Sequence, residues 1–421
     1  MGVDLESVFR KIGLEFDSTL GTYVHKKTRI PLTVRFDYER GKLVLLDQTK
    51  LPFELAVWST TDWKGAAFSG IRDMITRGSQ SIGCTAGYCI LLAAISLASD
   101  QTTFLRKLKA VGNAIKGARP TAVPLMWAVK KTFSAAQRAI EGGGSVEEAI
   151  QAIGDEADLI LASDLILCSF LRNEGRRYLR DGDVILTHCN AGSLSSSYGG
   201  HALGMIEEAV VDGMDLLVVS KETRPRSQGF KLTTWELIRA GVPVIIITDN
   251  MVSSAISRYN ISKIIVGADR ISRDGSLANK IGTHDLAVIA SAFKKPFYVA
   301  TGCSTIDIET VRGNDIPIEE RDRDEVLYPY RLEARDRRTH GILSGRSLTQ
   351  WPTEGLISEE DIPSKGKASV YNPAFDVTPP ELIDRYITDI GSYRPKEITS
   401  LTEEAMGEKV RRRLEDWGLR E

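Results

Sequence analysis

Three stretches put reactive residue types at the ends of apolar runs. THCNAGSL, residues 187–194, sets Cys189 between His188 and Asn190, then turns through Ala191, Gly192 and Ser193. A thiol there is a small core residue, a metal ligand or a reactive group at the rim of a sheet. VGADRISRDGSLANKIGT, residues 266–283, sets Asp269 after a similar run. A SRDGS turn follows, and Ala278-Asn279-Lys280 then reads as the opening of a helix. A cation at a helix start opposes the macrodipole, and such a local conflict marks a bound anion. KETRPRSQG, residues 221–229, gathers Arg224, Arg226 and Gln228 after a third run, a set suited to sugar hydroxyls or phosphate.

Two stretches in the first half offer anion sites. RGSQSIG brings Arg77, Gly78 and Ser79 to a helix opening, where small residues leave backbone N–H groups free. GARPTAV places Arg119 before a proline suited to a helix start, where a planar guanidinium can clamp phosphate. Turn formation and a surface salt bridge are the plainer roles for these two. Metal chemistry fits poorly, because His25, His188, His201, His284 and His340 are scattered without paired ligand spacing. No GxGxxG follows a strand and no GxSxG occurs, so neither a dinucleotide cofactor nor a hydrolase elbow is expected.

These residues must be positioned by the elements around them. After Asp181 the runs DVILTHC, DLLVVSKE, VPVIIITD, KIIVGAD and PFYVATG are apolar throughout, and most precede a helical stretch. That alternation predicts a parallel sheet covered on both faces, with ligands beyond the carboxyl ends of its strands. Those ends hold Cys189, Glu222, Asp249, Asp269 and Thr301. Asp249 is the rival acid and reads better as a supporting or helix-capping group. Residues 20–48 predict a small antiparallel sheet around a YERGK turn. Residues 60–175 repeat apolar side chains at helical spacing, with Ser145 and Glu148 placed as a capping box.

The fold class is therefore α/β. Residues 1–175 are expected to form an N-terminal unit of small antiparallel sheet plus helices. Residues 176–421 are expected to form a Rossmann-like parallel sheet flanked by helices. A polar stretch at 325–368 reads as an insertion. The last twenty residues read as an amphipathic C-terminal helix whose Lys409–Arg413 run faces solvent. Cys84, Cys89 and Cys168 fall in helical apolar patterns and are expected in the core, while Cys303 lies near a strand end without a partner motif.

Composition narrows the function classes. The chain has 421 residues, 42% hydrophobic and 26% charged, as in soluble globular proteins. A net charge of −2 provides no whole-chain attraction for nucleic acid or an anionic membrane. Five cysteines without a CxxC pair point to reduced thiols and a cytoplasmic location. The N-terminal MGVDLESVFRKIG lacks a signal pattern. The longest apolar run, from Cys84 to Ala98, is about 15 residues, short of the ~20 that span a bilayer.

THCNAGSL, ETRPRSQG, ITDNM, VGADRISRDG, ANKIGT, IPIEER (316–321) and YNPAFDVTP (371–379) occur in that order, with RPTAVPLMWAV and LDQTKLPFE upstream. Together they resemble the methylthioribose-1-phosphate isomerase family, over nearly the whole chain except 325–368 and the final helix. The resemblance implies a homodimer that isomerises an aldose 1-phosphate to a ketose 1-phosphate without metal or nucleotide cofactor. It implies Cys189 and Asp269 as the catalytic pair. It implies substrate contacts from Arg77, Gly78, Ser79, Arg119, Gln228, Asn279 and Lys280. Where the family loop reads RGAPAIG this chain has RGSQSIG, a more polar wall that admits a related sugar, 5-deoxyribose 1-phosphate or ribose 1,5-bisphosphate. The wider superfamily includes non-catalytic regulatory subunits of the initiation-factor-2B type. These lack one or both of the catalytic pair, and this chain keeps both.

Overall fold

The computed structural model describes residues 3–99, 102–119, 122–327 and 370–419. Strands Leu14–Asp17 and Thr22–His25 pair as a hairpin, and Val34–Asp37, Lys42–Leu46 and Val57–Thr60 form an antiparallel meander. YERGK makes the turn of that meander, with Gly41 at φ 57° and the Arg40 N–H donating to Asp37. Helices Ser79–Ser96, Phe104–Ala118, Val123–Glu141 and Val146–Arg176 follow. Ser79–Ser96 packs against Val123–Glu141 and Val146–Arg176 and is buried from Ser81 to Ala94. It is the one described helix long and apolar enough to cross a membrane, and 78% of it is buried inside the protein as a core helix. Ser145 and Glu148 form the capping box of Val146–Arg176, an arrangement that contributes about 1 kcal/mol.

The large sheet has the order Gly391–Tyr393, Arg385–Thr388, Phe297–Ala300, Lys263–Val266, Val184–Thr187, Leu217–Lys221, Val244–Ile247. Every pair is parallel except the first. Strand side chains alternate between faces. Ile185, Val218, Ile265 and Ala300 join the core of the N-terminal helices, while Leu186, Val219, Ile264 and Val299 join a second core on the opposite face. Strand order runs one way from Val184–Thr187 and the other way from Lys263–Val266, so the sheet reverses between them. That reversal opens a crevice at the carboxyl ends.

Several expectations are corrected. Val244–Ile247 is an edge strand, and Ile246 is 44% exposed, so it is not covered on both faces. Asn279 and Lys280 do not open a helix. They lie in strand Leu277–Lys280, and the helix starts at Thr283. The SRDGS turn folds Leu277–Lys280 back on Arg270–Ser272, and Phe375–Thr378 pairs along its other side. Pairing with a segment about a hundred residues away overrides the local pattern. The C-terminal helix Glu403–Glu415 is not simply solvated on its basic run, since Lys409 donates to the Tyr393 hydroxyl and Arg413 stacks 4.4 Å over Phe170. Of the segment 325–368, only residues 325–327 are described, in helix Asp324–Leu327; the rest, like Pro120, lies outside the described residues.

Candidate active site

His188-Cys189 and Ala268-Asp269 leave adjacent strands, Val184–Thr187 and Lys263–Val266, on either side of the reversal. Their loops touch. A Cβ on Gly267 would stand 2.5 Å from the Cβ of Ala191, so only glycine permits this approach. Cys189 itself sits at φ 64°, an uncommon conformation for a residue with a side chain. Its N–H donates to Thr223 Oγ1 at 2.9 Å and its carbonyl accepts from the Thr233 hydroxyl. Asp249 accepts from the N–H groups of Thr223 and Arg224, at 3.1 and 2.7 Å. It thus supports the loop that supports Cys189. His188 donates from Nε2 to the Ile281 carbonyl at 2.9 Å, and burial holds its pKa well below the usual value. It is a neutral, satisfied core histidine.

Asp269 is exposed, with Lys280, Arg321 and Arg119 around it. The surrounding protein displaces enough water to raise its pKa, outweighing the pull of those three cations. The Cys189 thiol is raised too, by desolvation and by Asp269, against Lys280 and Arg77. Cys189 is therefore a protonated thiol at neutral pH. Lys280 is 5% exposed, donates to the Ala374 carbonyl at 2.9 Å and lies 4.8 Å over the Phe375 ring. Burial lowers its pKa to about 8, although Cys189 and Asp269 favour its charge.

Elements from the N-terminal half, among them the RGS loop and Arg119, stand near this pair. Gly78 has φ 79°, and a Cβ there would stand 2.2 Å from the Ser195 carbonyl oxygen, so the RGS loop docks directly on the turn after Cys189. Ser79 then starts an 18-residue helix that has no side-chain cap, which leaves its first N–H groups available. Arg77, Arg119, Arg226 and Arg321 all act on one another's charge. With Lys280 they outnumber the acids beside them, Asp269, Glu319 and Glu325. Gln228 is 3% exposed and its Oε1 has no hydrogen-bond partner. Asn279 is committed locally, donating to Thr283 Oγ1 at 3.0 Å. Arg224 turns away to the Val326 carbonyl, and Arg226 pairs with Glu325 at 2.8 Å.

Sequence reasoning missed Arg321 and Glu319, although IPIEER was part of the recognised pattern. The Arg321 side chain is 9% exposed, its Nε is buried without a partner, and its nearest acid is Glu319 at 3.5 Å. A buried, under-satisfied guanidinium beside Asp269 is a donor waiting for an anion or hydroxyl. Cys303, left without a partner, proves to donate from N–H to buried Asp389 at 2.7 Å. Among the described residues no group of three or more metal-donor side chains is close enough to hold a metal ion. Two recesses of about 30 and 230 Å³ lie elsewhere, lined by residues such as Asp164, His201 and Asp389, and Arg172, Glu207 and Trp417. Neither is lined by Cys189 or Asp269.

Fold and site define an α/β protein of Rossmann type with a thiol and a carboxyl group at its topological reversal, beside a cluster of cations. The chain belongs to the initiation factor 2 subunit family, whose model matches residues 75–395. Similar curated proteins are the methylthioribose-1-phosphate isomerases of Petrotoga mobilis (38% identical, covering 86% of this chain and 96% of that one) and Chloroflexus aurantiacus (40%, covering 86% and 96%). A solved 5-methylthioribose 1-phosphate isomerase from Pyrococcus horikoshii superposes with TM-score 0.75 at 31% identity, covering 89% of this chain and 96% of that one. The solved translation initiation factor eIF-2B subunit delta from A. fulgidus is similar as well, with TM-score 0.72, 34% identity and coverage of 89% and 99%.

Proposed function

We propose that this chain is an aldose–ketose isomerase that converts 5-methylthioribose 1-phosphate to 5-methylthioribulose 1-phosphate, a step of methionine salvage. The observation that carries the reading is the juxtaposition of Cys189 and Asp269 beneath five cations. A dianionic phosphate matches that cluster. Arg77, Arg119, Arg321, Lys280 and the N–H groups at Ser79 hold it, and Gln228 takes a sugar hydroxyl. The apolar cluster of Leu46, Leu51, Leu194 and Leu232, flanked by Leu55 and Trp235, abuts the Cys189 loop through Leu194. An apolar neighbourhood of this kind suits an uncharged thioether better than a second phosphate.

The 1-phosphate blocks spontaneous ring opening, so an acid must protonate the ring oxygen. Asp269, with its raised pKa, is that acid. Hydrogen then moves from C2 to C1. Cys189 either removes the C2 proton, through a cis-enediol phosphate, or stabilises charge while hydride shifts directly. Its raised pKa favours the second role, because a base would need a thiolate. C2-deuterated substrate in ordinary water separates them: retention of label supports the hydride shift, and wash-out overturns it. The protein is proposed to act as a cytoplasmic homodimer, with residues 1–175 and 176–421 as its two units, without metal or nucleotide cofactor, nucleic acid or membrane.

The direct test compares kcat/KM for purified 5-methylthioribose 1-phosphate, 5-deoxyribose 1-phosphate and ribose 1,5-bisphosphate. A preference for either of the others overturns the substrate assignment; no turnover of any overturns the enzyme. Arg119→Ala and Arg321→Ala should each raise KM by about 10-fold or more, as expected for losing a charge-assisted hydrogen bond. An unchanged KM removes that arginine from the site. Lys280 predicts a pH dependence. Below pH 8 it is protonated and offers its charge to phosphate, and as pH rises through about 8 the free enzyme loses it. kcat/KM should therefore fall above pH 8 while kcat stays flat, since bound phosphate keeps the proton in place. Lys280→Arg should abolish that fall; a profile identical to wild type removes Lys280 from phosphate binding.

A further inference from the structure

Helix Thr234–Arg239 carries a carboxylate, Glu236, that the reaction outlined above does not use. It is fully buried, and no cation is bonded to it. Its oxygens serve the loop after Cys189 instead. Asn190 Nδ2 donates to Glu236 Oε1 at 2.6 Å, and the Leu194 N–H approaches Oε2 at 3.4 Å. Gly192 lies flush against the carboxylate, since a Cβ there would stand 2.4 Å from Oε2. Thr233, three residues before Glu236, donates to the Cys189 carbonyl and accepts from Asn190 Nδ2 at 3.3 Å. Behind Glu236 stands a second buried carboxyl, Glu207, on helix Ala202–Val211, 5% exposed and with Oε1 unpartnered.

Burying an acid here is costly unless its hydrogen bonds repay the lost hydration. An apolar residue would fill the same space more cheaply. What it could not do is grip three successive parts of one turn. We propose that Glu236 is a positioning residue, which through Asn190 and the 192–194 turn holds Cys189 in its left-handed conformation beside Asp269. Burial raises the pKa of Glu236 to about 7, and burial together with the neighbouring Glu236 raises that of Glu207 well above the usual carboxyl value. Glu236 thus backs a loop whose own geometry is strained. A turn displaced by about an ångström typically costs on the order of 100-fold in rate.

The proposal rests on the isomerase reading for its kinetic arm but not for its chemical one. Cys189 is the only partly accessible thiol among the five, so the rate of alkylation by iodoacetamide at fixed pH reports on it. In the full-length protein, Glu236→Ala should lower kcat by about 100-fold with KM changed less than about threefold. It should also raise the alkylation rate at least about threefold, because loosening the loop relieves the burial that suppresses the thiolate. Glu236→Gln, which keeps an acceptor for Asn190, should restore kcat to within about fivefold of wild type. Asn190→Ala cuts the same bond from the other side and should reproduce both effects, so it decides the matter should Glu236→Ala not fold. Lost turnover with an unaltered alkylation rate overturns the positioning role. So does faster alkylation with intact turnover. If the wild-type protein turns over no sugar 1-phosphate, the isomerase reading fails alone, and alkylation still decides whether Glu236 sets the thiol.

Discussion

Cys189→Ser leaves the protein folded and inactive. Turnover falls by about 10⁴-fold or more, the scale of losing a group that acts on the reacting carbons. Serine differs from cysteine by one atom, and its hydroxyl can still accept from the Asn190 backbone N–H that serves the thiol. The loop itself is held by backbone bonds to Thr223 and Thr233. The thermal midpoint should therefore stay within about 3 °C of wild type, the shift of less than 1 kcal/mol in a chain this size. Parallel kcat and unfolding measurements check both halves. A collapse in stability, with activity surviving in the folded fraction, returns Cys189 to packing.

Asp269→Asn has the second large effect, with a different signature. Asparagine keeps the shape and cannot donate an acidic proton, so kcat falls about 10²–10⁴-fold. The side chain is exposed, and its substitution empties no core space. In the enzyme fraction whose Asp269 is ionised it also removes a negative charge beside Lys280, Arg321 and Arg119, so the site becomes more positive. Phosphate binding strengthens, and KM falls together with kcat. Steady-state kinetics separate this outcome from the Cys189 one. A variant with normal kcat shows that the ring oxygen takes its proton elsewhere.

The parts that were readable in the sequence are those encoded locally. Apolar runs ending at Thr187 and Val266 announced strands, and the small residues after them announced turns at a reactive rim. Periodicity was enough for helices such as Val146–Arg176, and the Ser145 capping box stood in place. What escaped was made by pairing over distance. Asn279-Lys280 became strand because Phe375–Thr378 lies alongside it. Arg321 gained meaning only when its chain segment came to rest against Asp269, and an arginine in a polar stretch has no periodicity to betray it. Glu236 looked like an ordinary polar position of a short helix until Asn190 and Gly192 were found against it. The surroundings of Asp269 were not legible either, since cations arriving from three separate segments cannot be counted from its own neighbours in sequence.

The contact of Gly78 with Ser195 carries a consequence for how such a catalyst can evolve. The RGS loop and the turn after Cys189 lie more than a hundred residues apart in the chain, and they abut with no room for even a methyl group. Neither segment can drift or be swapped for a homologous piece without the other losing its register. Changes of substrate should therefore accumulate around that contact, at neighbours such as Gln80, and leave the contact itself alone.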